Sequence, residues 1–431
     1  MIRYISIVAL WLLGGMFVFV GINKNDPYLV ALRGTGNVAL FIACATMAFV
    51  LIRRGYLQRG ITAKLLVLLW CLAPISMLAA HATFEMRKRD VLQTETGAAH
   101  ALGRHFMVGY SSFEEVARLA EKGMIAGVYV SRRNIIHSTA KGLKAEISDL
   151  QERRRRVNLP PLIVAADQEG GIVSHLSPAL TKLPALATLA GLPPDIRAQK
   201  AEEYGRIHAR ELASLGVTTN FAPVLDLRPE AKRNRLDFHT LIGQRAISAD
   251  PAEVAAVALP YVRGLEASGV GATVKHFPGL GRVHDDTHHF SADLDAPLDE
   301  LEASDWRPFR DVLAGSKAQL MVGHVTLKAV DPDRPASHSR RVIDGIVRQK
   351  WGYDGVVITD DLVMGAIYQH NVCTAVVEAI NAGVDLLLVA YDGAQFYRIF
   401  ACASAGLAGG KLDAAMLRAS DARLKRTLAV D

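Results

Sequence analysis

Cysteine is scarce in this chain, with four among 431 residues, at positions 44, 71, 373 and 402. No two of them have the Cys-x₂₋₄-Cys spacing of a zinc knuckle, and four are too few for the bridge-dense framework of a small secreted domain. Cys44 and Cys71 fall inside long apolar runs. Cys373 and Cys402, far apart in sequence, neither require a disulfide nor exclude one, and are read as small core residues. A basic surface is also missing from most of the molecule. The formal net charge is +6, but residues 1–90 carry ten Lys+Arg against three acids, leaving 39 basic and 40 acidic side chains elsewhere. A net charge of −1 on that larger part offers nothing to track a phosphate backbone, which excludes nucleic acid as a partner.

What the chain does have in excess is long apolar runs. Three of them, Tyr4–Ile22, Asn37–Ile52 and Ala63–Phe84, approach the ~20 residues needed to cross a ~30 Å hydrocarbon core. Lys64, at the border of the third, is their only Lys, Arg, Asp or Glu. They predict a three-helix membrane anchor over residues 1–84, a connector over 85–103 and a globular domain over 104–431. A cleaved signal peptide competes for the first run, but two further runs follow directly and favour an uncleaved anchor. Positive charge is shared evenly between the two sides. The densest block, "RRGYLQRGITAK" at 53–64, is assigned to the cytoplasm. That choice places the globular domain on the periplasmic side of a bacterial inner membrane.

Beyond residue 100, short β-branched runs alternate with helical patterns, as in a parallel sheet wrapped by helices. Eight strands are predicted: 106–110, 126–130, 162–167, 218–226, 271–277, 318–324, 355–361 and 384–390. They are apolar on both faces, and no Gly-rich fingerprint follows the first. Both features favour an α/β (β/α)₈ barrel of the TIM type over an open dinucleotide-binding sheet. Of the helices between, "SFEEVARLAEKG" opens on a serine cap and "DPAEVAAVALPYVRGLEASG" on an aspartate cap with proline in the first turn.

In such a barrel the chemistry sits where strands end. Polar groups collect at those points: Asp167, Gln168 and Glu169; Asp226; Lys275 and His276; His324; Asp360 and Asp361. The loop "KHFPGLGRVHDDTHHF" (275–290) adds three more histidines and two aspartates. No His-x-His or His-x₃-His pair lies on a predicted helix, so neither a metal nor another cofactor is expected.

The segments "VAADQEGG", "NFAPVLDL", "IGQRAISADP", "KHFPGLGRVHDDTH", "MVGHVTL", "DPDRPASHS" and "GYDGVVITDDLVMGAI" together resemble glycoside hydrolase family 3, in particular its single-domain β-N-acetylhexosaminidase branch. The likeness runs through residues 104–425 and leaves out the anchor. It implies a retaining double displacement, with Asp360 as nucleophile. An Asp-Thr-His element, Asp286, Thr287 and His288, stands where that branch carries its catalytic dyad. His288 would then serve as acid/base, a task suited to a group with an ordinary pKa near 6.5, oriented by Asp286. The same likeness assigns sugar binding to Asp167, Arg245, Lys275 and His276, with His324 a minor candidate. His284 and His289 take no role. Three departures stand out: Ile172 and His175 replace arginines, and Leu280 replaces a histidine.

The function so implied is a membrane-anchored β-N-acetylglucosaminidase that removes terminal GlcNAc from peptidoglycan-derived or other envelope glycans. A β-glucosidase, a phosphorylase of the same family and an inactive membrane-anchored glycan-binding module are the alternatives. Oligomeric state is not legible in the sequence.

Overall fold

The computed structural model describes residues 2–136, 139–229, 240–283, 285–368 and 371–428. The chain divides into two compact units, Met1–Thr94 and Glu95–Asp431. The first holds three helices, α1 (Ile2–Ile22), α2 (Thr35–Arg53) and α3 (Ile61–Leu92). They pack around Cys44, Leu66, Trp70, Ala73 and Met77, while Leu12, Phe19, Phe49 and Ile61 point outward. A bundle that is apolar inside and outside suits lipid better than water. By length and composition α2 and α3 can each cross a membrane. Residues 85–103, read as a connector, are largely helical: α3 runs on to Leu92, and Thr96–Gly103 forms about two further turns of helix.

All eight predicted strands form, and they close into one parallel barrel. They are β1 (Phe106–Gly109), β2 (Gly127–Tyr129), β3 (Ile163–Ala166), β4 (Thr219–Asn220), β5 (Gly271–Phe277), β6 (Gln319–Val322), β7 (Val357–Asp361) and β8 (Leu386–Val389). Each pairs with its neighbours in chain order, and β1 closes against β8 through Phe106–Leu387, Met107–Leu388 and Val108–Val389. β4 is shorter than its predicted run. After Asn220 it keeps only an isolated bridge from Val224 to Lys275.

Alternation along the strands decides which side chains reach the mouth. Met107, Ile163, Ala165, Phe221, Met321, Ile358, Leu386 and Leu388 belong to one buried cluster, the layered filling of a barrel of this size. Two residues beyond Ala165 and Ile358 on the same faces stand Asp167 and Asp360. The apolar filling thus hands over to carboxylates at the C-terminal rim of the sheet.

Outside the sheet, helices Pro194–Leu215 and Pro251–Glu266 meet backbone to backbone. A Cβ on Gly205 would lie 2.2 Å from the Tyr261 carbonyl, and one on Gly264 would lie 2.1 Å from that of Glu202, so only glycine fits at this crossing. Asp250 caps the second helix by accepting from the Ala252 N–H at 2.8 Å. Ser112, at the N-cap of Phe113–Glu121, makes no side-chain cap bond. The reading of Cys373 and Cys402 as unpaired core residues is corrected, because they form a disulfide that joins helices Val372–Ala382 and Phe396–Ala408. Spacing alone carried no information on this pair. Two helices from adjacent barrel repeats bring them together.

Candidate active site

The rim of the barrel is built around a chain of opposite charges. Lys275, from the end of β5, reaches Asp167 and also Glu169 at 2.7 Å. Arg245 grips Glu169 with both arms of its guanidinium, Nε at 3.0 Å and Nη2 at 2.6 Å. Its Nη2 also approaches His276 Nε2 at 3.3 Å, and His276 Nδ1 lies 2.6 Å from a carboxylate oxygen of the fully buried Asp226. The second Asp226 oxygen accepts the Leu280 N–H at 2.7 Å. The position where a histidine departs to leucine is therefore held by its backbone, with the Leu280 side chain buried. Tyr129, at the end of β2, donates its hydroxyl to Asp167 at 2.7 Å and lies 2.9 Å from His175 Nδ1.

Electrostatics keep these groups charged despite burial. Desolvation alone would raise the Asp167 carboxyl, but the Lys275 ammonium and the Tyr129 hydroxyl hold it far below the usual carboxylate range. Glu169 likewise sits at about 2: burial opposes ionisation, and Arg245 followed by Lys275 overrides it. Burial would lower Lys275, and its two carboxylate partners raise it instead. Buried ions gain net stability only when every partner is present. Glu169→Ala, which takes from the buried Arg245 its carboxylate partner and leaves Lys275 with Asp167 alone, is therefore expected to cost roughly 3–5 kcal/mol, read as a drop in the urea midpoint of the barrel. The sign with pH follows from the lowered carboxyl. The Glu169 contribution is complete above about pH 4.5 and is lost as pH falls toward 2. A Glu169→Ala barrel with unchanged urea and acid unfolding would refute this account of the network.

The two adjacent aspartates of β7 have separated fates. Asp361 accepts three backbone N–H groups, from Val363 at 3.1 Å, Ala390 at 3.0 Å and Tyr391 at 2.7 Å. It thereby ties the end of β7 to that of β8, and burial pushes its carboxyl up to about 6. Asp360 points to the barrel interior and accepts the Asp361 N–H at 2.8 Å. Burial works against its ionisation, but the imidazoles of His276, His324 and His288 hold its carboxyl below the usual value. Neighbouring carboxyls driven in opposite directions are a mark of assigned roles.

The 286–288 loop is folded over the same strand end. His288 Nδ1 is 2.9 Å from Asp286 Oδ1, which also accepts the His288 backbone N–H at 3.0 Å. The His288 carbonyl accepts the Gly365 N–H at 2.8 Å, just beyond β7. Burial would raise the Asp286 carboxyl, and its hydrogen bonds to His288 bring it to about 2. His288 itself is half-exposed, so a ligand can reach it.

The sequence-assigned residues other than His324 thus lie on one rim: Asp360, His288, Asp286, Asp167, Arg245, Lys275 and His276. His324 lies behind them. It is buried, with Nδ1 2.8 Å from Ser337 Oγ and Nε2 3.0 Å from the Asp361 carbonyl, so both ring nitrogens are engaged with protein. His284 lies outside the described residues, and His289 packs edge-on against Phe290. Glu169 and Asp226 were visible as strand-end polar residues but drew no role, and Tyr129 drew no notice. The available signal for Tyr129 was a polar tip closing an apolar strand. With carboxylates beside paired cations and a carboxylate facing an imidazole–carboxylate pair, the rim can hold hydroxyl groups, supply a nucleophile and exchange a proton.

A profile of the glycosyl hydrolase family 3 N terminal domain matches residues 99–427. The chain belongs to this family. The beta-hexosaminidase of Stenotrophomonas maltophilia is 36% identical over 271 residues, covering 62% of this chain and 76% of that protein. The beta-hexosaminidase of Pseudomonas aeruginosa is 36% identical over 272 residues, with 63% and 76% covered. Among solved structures, a glycoside hydrolase family 3 beta-N-acetylglucosaminidase from a Paenibacillus species superposes with a TM-score of 0.69 at 30% identity. That match spans 77% of this chain and 63% of the other, less than two thirds of it. A beta-N-acetylhexosaminidase from Beutenbergia cavernae gives 0.67 at 26% identity, over 77% of this chain and 98% of its own. The chain is accordingly a glycoside hydrolase of family 3 acting on a carbohydrate, and its two long apolar helices lie outside the matched residues.

Proposed function

We propose that this family 3 enzyme is a retaining β-N-acetylglucosaminidase, held at a membrane by residues 1–84 through a connector over 85–103, with residues 104–431 as the catalytic domain. Its substrates are peptidoglycan-derived or other envelope glycans with a terminal GlcNAc. Asp360 attacks the anomeric carbon while the His288 imidazolium protonates the departing glycosidic oxygen, giving a covalent glycosyl-enzyme. His288, now neutral, takes a proton from water, whose oxygen displaces Asp360. Asp286 holds the imidazole and stabilises its cation. Asp167, Arg245, Lys275 and His276 bind the sugar hydroxyls, and His324 supports the end of β7 behind the nucleophile.

The observation that carries this reading is the tie between the dyad loop and the nucleophile strand: the His288 carbonyl on the Gly365 N–H, with the His288 ring acting on the Asp360 carboxylate. The relatives named above, described as hexosaminidases and acetylglucosaminidases, support the sugar. The test is incubation of the detergent-solubilised protein with chromogenic β-glycosides of GlcNAc and of glucose, each with and without phosphate. Turnover of the GlcNAc glycoside, independent of phosphate, is expected. Preference for glucose would reassign the substrate, phosphate dependence would reassign the acceptor, and no turnover at all would favour a binding module.

The periplasmic placement draws support from the Cys373–Cys402 disulfide, since such bonds persist in oxidising compartments. A C-terminal reporter that matures only outside the cytoplasm is expected to be active. Activity only of a cytoplasmic reporter would reverse the topology.

A further inference from the structure

The N-terminal bundle carries its charge unevenly. At one end, where Asn25 donates its side-chain amide to the Ala80 carbonyl at 2.8 Å, cations and carboxylates mix: Lys24, Arg33, Arg87, Lys88 and Arg89 stand in sequence beside Asp26, Glu85 and Asp90. At the other end, where α2 turns into α3, Arg53, Arg54, Arg59 and Lys64 follow closely, and no Asp or Glu occurs anywhere from 27 to 84. All four are exposed, and among the described residues none pairs with a carboxylate. The turn that holds them is ordered. Gly55 takes a left-handed conformation (φ 72°) as α2 stops, and Tyr56–Gln58 adds a turn of 3₁₀ helix before α3 starts at Ile61. The Tyr56 ring packs against the bundle interior. Arg59 stacks on that ring, its guanidinium carbon 4.3 Å from the ring centre, and donates Nη2 to the Arg54 carbonyl at 3.3 Å. The guanidinium carbon of Arg53 lies 5.9 Å from the centre of the Phe49 ring. Among these cations Leu57 and Ile61 turn outward, 46% and 75% exposed.

We propose that the turn over residues 53–64 is a docking surface for anionic phospholipids, which it binds by their headgroup phosphates. The inference rests on the membrane-anchor reading and adds the lipid class. Cations at the end of a spanning helix lie at headgroup depth, where an anionic leaflet attracts them. Four of them with no acid inside the bundle leave a positive potential that only groups from outside can neutralise, and the guanidinium fork matches two phosphate oxygens. Stacking on Tyr56 and Phe49 holds Arg59 and Arg53 in place, which lowers the ordering cost of binding. Leu57 and Ile61 supply what a soluble anion cannot use, an apolar contact with the acyl boundary beneath the headgroup. The C-terminal dipole of α2 accounts for a cation at Arg53, but Arg59 and Lys64 lie beyond that helix.

The test places the full chain in nanodiscs of phosphatidylglycerol and phosphatidylcholine in equal amounts. Both leaflets have the same composition, so orientation is immaterial, and the lipids retained on release are counted by native mass spectrometry. Phosphatidylglycerol is expected to exceed phosphatidylcholine among them by about tenfold, less as ionic strength rises. In the Arg53→Gln/Arg54→Gln/Arg59→Gln/Lys64→Gln variant the ratio falls to near one. The same kind of change at the other end, Arg87→Gln/Lys88→Gln/Arg89→Gln, leaves it in place. Equal retention of the two lipids by the unaltered chain, or a preference that survives loss of the four cations, overturns the proposal. Displacement of phosphatidylglycerol by inorganic phosphate, beyond the effect of chloride at equal ionic strength, would mark a free-anion site and also overturns it. Alkaline carbonate tests the anchor separately: a chain it extracts from vesicles is not anchored. In that case, binding to phosphatidylglycerol vesicles that needs the four cations would still sustain the docking surface, and no such binding would overturn it.

Discussion

Asp360→Ala is expected to lower kcat on a β-GlcNAc glycoside by on the order of 10⁴-fold or more, with little change in the fold. At the irregular end of β7 the two aspartates face different partners: Asp360 lies among the imidazoles of His276, His324 and His288, and Asp361 turns its oxygens to backbone N–H groups. Attack on an anomeric carbon needs an ionised carboxylate, and Asp360 is kept in that form by three imidazoles and a backbone N–H against the pull of burial. The structural duty at this strand end falls to Asp361, whose oxygens bind the backbone of three residues. Loss of the Asp360 side chain therefore removes the proposed nucleophile and leaves the clamp in place. Treatment with a 2-deoxy-2-fluoro or 5-fluoro glycoside is expected to add the mass of one sugar to the peptide containing residue 360. A sugar adduct on Asp361 or Glu169 instead, or an Asp360→Ala variant that turns over normally, would remove Asp360 from the role.

His288→Ala is expected to act selectively. Protonation of the leaving oxygen matters when the leaving group is a poor one and matters little when it departs as a stable phenolate. On an unactivated disaccharide the variant is expected to lose about 10²–10⁴-fold in kcat/KM, and on a dinitrophenyl glycoside much less. Asp286 lies at about 2 and stays ionised across the working range, so it accepts the Nδ1 proton and leaves Nε2 to exchange one with the substrate. Asp286→Asn should follow the same pattern at smaller amplitude. Equal losses on both leaving groups in His288→Ala would mean that this residue positions substrate and does not transfer a proton.

Much of the molecule was legible before any coordinates. Eight β-branched runs read as strands because each was long enough, apolar on both faces and bounded by helical periodicity, and all eight are found in the barrel. The carboxylates, lysine and histidine at their ends were visible for the same reason, since a charged residue closing an apolar strand is conspicuous. The ion-pair partners were less so. Glu169 lies two residues beyond Asp167, and nothing in that spacing says that it takes Arg245 from a segment 76 positions away. Asp226, seen only as a polar residue at a strand end, holds His276 and Leu280 together. Tyr129, inside a predicted strand and given no role, carries a hydroxyl into the site.

Sequence by itself determined the order of strands and helices, the apolar character of the N-terminal segment and the residue types at the rim, because each depends on local periodicity and composition. Tertiary structure alone decided which partner each charge meets, that Cys373 and Cys402 join, and that the 286–288 loop lies over Asp360. The reason is barrel closure. It brings the ends of strands far apart in the chain within hydrogen-bond distance, and a linear pattern carries no record of which side chains then face one another.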